Sequence, residues 1–148
     1  MATTRKWVAP GVAAASALTT ELNGLGSATY SNVSAVIDNT SALYQFMWLE
    51  LYLASLTPVA GQYVSVYMVA SLDGTNYADG GGSTAPANCS FLCSFDLSTS
   101  AGTKRRVTNF PIQVPPLKFS LIVYNSGTTA FAGTGNTLKY SLGYEQAV

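Results

Sequence analysis

The feature that most limits how this chain can fold is its punctuation. From residue 28 onward, runs of β-branched, aromatic and aliphatic residues are cut by clusters of Gly, Pro, Asn, Asp and Ser. Candidate strands span 29–37, 43–54, 62–71, 89–97, 104–110, 117–125 and 137–144, with a further short one near 128–132. The separators are DNTS, TPVAG, DGTNYADGGGST, STSAGT, VPP and GTGN, each built of residues that favour turns. Within the longest, Asp73-Gly74 is the pair that a tight hairpin turn favours. Only the segment near Ser16–Leu25 carries a short helical period. About eight strands with regular turns predict an all-β, single-domain antiparallel β-sandwich over residues 28–148, jelly-roll-like. Residues 1–27 read as an extended N-terminal arm with one short helix.

Alternation within the strands predicts which side is buried, because successive side chains point to opposite faces. Cys89, Phe91, Cys93, Phe95 and Leu97 form one inward set, opposed by Ser90, Leu92, Ser94 and Asp96. Leu117, Phe119, Leu121 and Val123 form a second, and Val64, Val66, Met68 and Ala70 a third. The stretch YQFMWLELYL is different. Its aliphatic side, Met47, Leu49, Leu51 and Leu53, suits a core, but the opposite side carries Tyr44, Phe46, Trp48, Glu50 and Tyr52. A solvated sheet face is normally polar, so these rings are expected to meet something other than water. With Tyr63 and Tyr67 on the next strand, they form either a candidate interface or a face covered within the same chain by the arm, residues 1–27, or a second sheet, since consecutive strands are commonly neighbours. Fully burying one such ring is worth about 1.5–3 kcal/mol. Six together approach the cost of association, about 4–15 kcal/mol.

Charge and reactive groups narrow the function. Only 9% of the 148 residues are charged and the formal net charge is zero, so phosphate-driven nucleic-acid binding has little to act through. The one basic cluster, Lys104, Arg105 and Arg106, reads as a solvated strand end. There is no histidine, which removes the usual nucleophile–base pairs and the commonest zinc ligand. Cys89 and Cys93 would lie roughly 13 Å apart on a strand, too far to bridge, and read as small apolar fillers. Asp73, Asn76 and Asp79 offer oxygen ligands but lack the terminal glutamate of an EF-hand loop, and a turn is the simpler reading. We expect no enzyme activity, no cofactor and no metal. Arg5 and Lys6 before WVAPGVAAASAL imitate an export signal, but Pro10 and Gly11 break the apolar run, so an uncleaved arm is expected. No stretch approaches the 18 or so residues of a membrane helix, and no membrane partner is expected.

Five segments carry a resemblance. TTELNGL at 19–25, IDNTSALY at 37–44, SLDGTNYADG at 71–80, VPPLKFSLIVYNSGTTAF at 114–131 and GNTLKYSLGYEQ at 135–146 resemble the cement, or decoration, proteins of tailed-bacteriophage capsids. The resemblance implies a jelly-roll body, often a homotrimer, assembled in the host cytoplasm and placed on the outer capsid surface of the virion. There it clasps and stabilises the major capsid protein lattice. On that reading the arm, with Trp7 and Val8, reaches across a neighbour, and Tyr44, Phe46, Trp48, Tyr52, Tyr63 and Tyr67 are protein-interface residues. The shared pieces are turns and strand ends, and they bring no catalytic residue with them. Two alternatives stand beside it. One is a carbohydrate-binding module with Gln45, Glu50 and Gln62 near the rings. The other is a tail or head-completion component of a phage particle.

Overall fold

A computed structural model describes residues 4–8, 14–77 and 84–147. Among these residues eleven strands form two antiparallel sheets: β1 (Arg5–Val8), β2 (Ala15–Leu18), β3 (Thr29–Tyr30), β4 (Ile37–Asp38), β5 (Phe46–Leu56), β6 (Tyr63–Ser71), β7 (Ser90–Asp96), β8 (Gly102–Val107), β9 (Ile112–Gln113), β10 (Lys118–Asn125) and β11 (Thr137–Ala147). One sheet runs β1–β11–β5–β8, with β2 also on β11 and β9 also on β5; the other runs β3–β10–β6–β7, with β4 also on β10. Treating β1/β2, β3/β4 and β8/β9 as interrupted strands leaves eight positions. The first pairs with the last, the second with the seventh, the third with the sixth and the fourth with the fifth. That is one long antiparallel ribbon rolled on itself, the connectivity of a jelly roll.

Between the sheets lies one aliphatic and aromatic cluster. β5 supplies Met47, Leu49, Leu51 and Leu53, β6 Val64 and Val66, β10 Phe119, Leu121 and Val123, and β11 Leu138 and Leu142. The β5 set is the one alternation predicts; of the sets predicted for β6 and β10, Ala70 is instead exposed and Leu117 only half-buried. The segment read as an arm contributes to this body: β1 and β2 pair with the outer edge of β11, and Ala17 and Leu18 enter the core. Within the predicted helical segment, helix is limited to a single 3-10 turn, Thr20–Leu22.

Two of the interrupted strands, β3/β4 and β8/β9, keep their ladders by substituting hydroxyls for carbonyls. Between β3 and β4, the Ser31 and Ser34 Oγ atoms accept the amides of Val123 and Leu121 at 3.0 and 2.9 Å. Between β8 and β9, Thr108 Oγ1 accepts the Leu49 amide at 3.0 Å. Three buried asparagines tie the corners. Asn39 clamps both backbone groups of Tyr44. Asn125 holds the carbonyls of Leu25, Gly26 and Thr129. Asn136 joins Ala54 to Leu22 and Ala132. A buried backbone group left without such a partner costs about 1–3 kcal/mol, so these side chains fix where the ribbon turns.

Two local expectations fail for identifiable reasons. A bulge in the β6–β7 pairing between Val66 and Tyr67 sets Val66 against Cys93 but Tyr67 against Phe91. The extra residue reverses the alternation, so Phe91 faces out and is 59% exposed, while Leu92 packs against the core. Asp73-Gly74 makes no two-residue hairpin, because β6 and β7 are joined by residues 72–89. Asp73 instead caps its own loop. Its Oδ1 accepts Ser71 Oγ and the Thr75 and Asn76 amides at 2.8–2.9 Å. Those bonds, the amides first, hold the carboxyl far below the usual range. Its third candidate partner, Asp79, lies outside the described residues.

Candidate functional site

The aromatic residues singled out from sequence divide between two opposite surfaces. Tyr63 and Tyr67 are on β6, and Phe46, Trp48 and Tyr52 are on β5, which belongs to the other sheet. The β5–β6 connection crosses the sandwich, so sequence neighbours are not spatial neighbours here. Tyr44 also leaves the set. Leu43 has a left-handed backbone (φ 53°) and Asn39 grips Tyr44, and the ring packs at the end of the core with Tyr144, centroids 6.2 Å apart. Val8 pairs with Tyr144 and so turns to the inner side, away from Trp7.

The outer face of the β5 sheet has a regular plan. Register sets Gly143 against Phe46, Ser141 against Trp48, Lys139 against Glu50, and Thr137 against Tyr52. On the other side of β5, Val107 and Arg105 oppose Glu50 and Tyr52. Successive rows on this face are about 6.7 Å apart and strands about 4.8 Å. Its upper half is aromatic. Trp7, from β1, reaches across β11 to Phe46 (centroids 4.9 Å) and to Trp48 (6.0 Å, near-perpendicular), the arrangement that ring quadrupoles favour. Gly143 makes this crossing feasible, since a Cβ there would stand 2.8 Å from the Trp48 ring and 2.9 Å from the Val8 carbonyl. Trp7 remains 54% exposed above the group.

The lower half is polar. The Arg105 guanidinium donates through Nε at 2.9 Å, and also through Nη2, to Glu50 Oε2. Around that pair Tyr52, Thr137, Lys139 and Gly135 line a shallow trough of about 430 Å³. Gln45 is exposed and accepts the Glu145 amide. Gln62, expected from sequence to join a polar group here, is buried at the opposite sheet, bonded to Val59 and Asn125.

No family model of known proteins matches the chain, and no curated protein sequence matches it.

The opposite outer face carries a row of rings that sequence reading did not assemble. Tyr30 stacks on Tyr124 (4.6 Å) and approaches Tyr67 (6.1 Å), which meets Phe91 edge-on (5.8 Å). Burial, followed by the neighbouring Tyr67, Tyr124, Cys89 and Tyr63, pushes the Tyr30 hydroxyl above its ordinary pKa. On the same face Ser65, Val69, Ser120 and Ile122 point outward yet are 0–3% exposed. Cys89 and Cys93 are both free thiols; Cys93 is buried, and burial pushes it up to about 12. Among the described residues no group of three acidic, cysteine or histidine side chains converges on a metal-sized space.

Proposed function

We propose that this chain is a non-enzymatic structural protein of a tailed-bacteriophage virion, a cement protein that attaches to the outer capsid surface and stabilises the major capsid protein lattice. The observation that carries this reading is the open aromatic group of Trp7, Phe46 and Trp48 on one outer sheet face. Rings of this kind are enriched at the energetic centres of protein interfaces. A chain with 9% charged residues is also suited to spending its working life packed against other polypeptides. A jelly-roll body presents such a face on a rigid sheet, so little is lost in ordering it on contact. Attachment as a homotrimer would multiply weak individual contacts on a repeating lattice.

The test is addition of purified protein to phage heads that lack it. The expected result is saturable, stoichiometric binding and a higher rupture temperature, both lost on Trp48→Ser with the fold intact. Failure to bind such heads at micromolar concentration, or undiminished binding by the variant, would refute the reading. Mass in solution separates the related alternative, because a head-completion ring would be larger than a trimer.

A further inference from the structure

The geometry points to the trough on the lower half of the same face as a binding site for a short acidic oligosaccharide, separate from the aromatic group above it. The trough has three properties that together select this ligand class. First, its floor is the middle of β5, whose backbone is fully paired between β11 and β8. An extended peptide would find no free ladder groups to pair with, whereas a sugar needs only side chains. Second, the lining combines one ring with convergent polar atoms. Tyr52 offers a face for the apolar C–H side of a pyranose. Glu50 uses only Oε2 for Arg105, so among the described residues Oε1 is free to accept from a sugar hydroxyl. Thr137 supplies a hydroxyl that both donates and accepts. Third, the charge is unbalanced. Glu50 and Arg105 neutralise each other, while Lys139, directly opposite Glu50 in the register, makes no ion pair among the described residues. The surplus positive charge suits a carboxylate or sulfate on the sugar. A volume of about 430 Å³ lies within the range of small-molecule sites, roughly 300–1,000 Å³.

This inference does not depend on attachment to a capsid, which is carried by Trp7, Phe46 and Trp48. It is tested by titrating the purified full chain with tri-galacturonate and, as a charge-free control of the same shape, its methyl ester. Amide chemical shifts are read by NMR at low and high salt. The expected result is saturable movement centred on Glu50, Tyr52, Arg105, Thr137 and Lys139, at least tenfold weaker for the methyl ester and weaker in high salt. Lys139→Gln should reduce affinity at least fivefold, and Tyr52→Ala at least tenfold, while Trp48→Ser leaves it unchanged. Should Tyr52→Ala unfold, Lys139→Gln, at a half-buried surface position, still decides the matter. No saturable shift at millimolar sugar, equal binding of the ester, or shifts centred on the Trp7 group would overturn the assignment.

Discussion

The two outer faces of the sandwich look alike in sequence and differ in what covers them. On the β6 sheet, the outward positions Ser65, Val69, Ser120 and Ile122 are as inaccessible as the core, yet Val69 and Ile122 do not belong to the cluster between the sheets. The chain seals the centre of that face with its own atoms, while Tyr63 and Phe91 toward its β7 side stay exposed. On the β5 sheet, Phe46, Trp48, Glu50 and Tyr52 are only half-covered, and among the described residues Trp7 is the one ring laid over Phe46 and Trp48. An aromatic-rich face is therefore not by itself a docking face. The difference lies in whether a second, intramolecular layer has already satisfied it; by that criterion the centre of the β6 face is finished, while the β5 face beneath exposed Trp7 and the Tyr63–Phe91 margin of the β6 face are not.

Substitutions can break this contrast. Ile122→Ala should be the most damaging, costing about 2–5 kcal/mol in urea unfolding as a large-to-small change at a fully buried site. A loss under 1 kcal/mol would mean that the centre of the β6 face is not sealed. Gly143→Ala should follow at about 1–3 kcal/mol, because the new methyl meets the Trp48 ring and the Val8 carbonyl and the second of these is backbone. It should also change the tryptophan near-UV signal as Trp7 and Trp48 separate. A stability equal to the parent's would place the arm elsewhere.

Smaller effects sharpen the picture. Cys93 lies on the core side of β7, one turn of the pleat from outward-facing Phe91. Its thiol has an ordinary value of 9.0 and is pushed up to about 12 by burial. A raised folded value means that its contribution is fully present below about pH 9 and is lost as pH rises toward 12. Unfolding free energy measured at pH 8, 10 and 11 should fall, and Cys93→Val should remove the part of that slope due to one proton. Identical slopes would show that the thiol is not sequestered. Trp7→Ala should be mildest for folding, under about 1 kcal/mol, since the ring is more than half exposed.

Much of the fold was legible because alternation is a local signal. The inward set of β5 and most of those of β6 and β10 follow directly from period-two patterning, Ala70 and Leu117 excepted, and two of the three corner asparagines, Asn39 and Asn136, fall within the turn-rich segments. What local pattern cannot carry is a decision made across the sandwich. The single-residue bulge that turns Phe91 outward depends on the partner strand. The assignment of β5 and β6 to different sheets depends on how the ribbon rolls. The breaks at Ser31–Ser34 and Thr108 read as continuous strand because a hydroxyl there does the work of a carbonyl. Of the candidate interface, Phe46, Trp48 and Tyr52 share one face as expected, and Trp7 joins them. Tyr44 and Val8 turn inward, and Tyr63 and Tyr67 are on the other side.

Hydroxyl-radical footprinting of the chain, free and bound to phage heads, reads both outer faces in one experiment. Trp7, Phe46 and Trp48 should react in the free protein and become protected on heads, while Tyr63 and Phe91 do not change. Unchanged labelling of the Trp7 group on binding, or protection confined to the β6 face, would contradict attachment through that group.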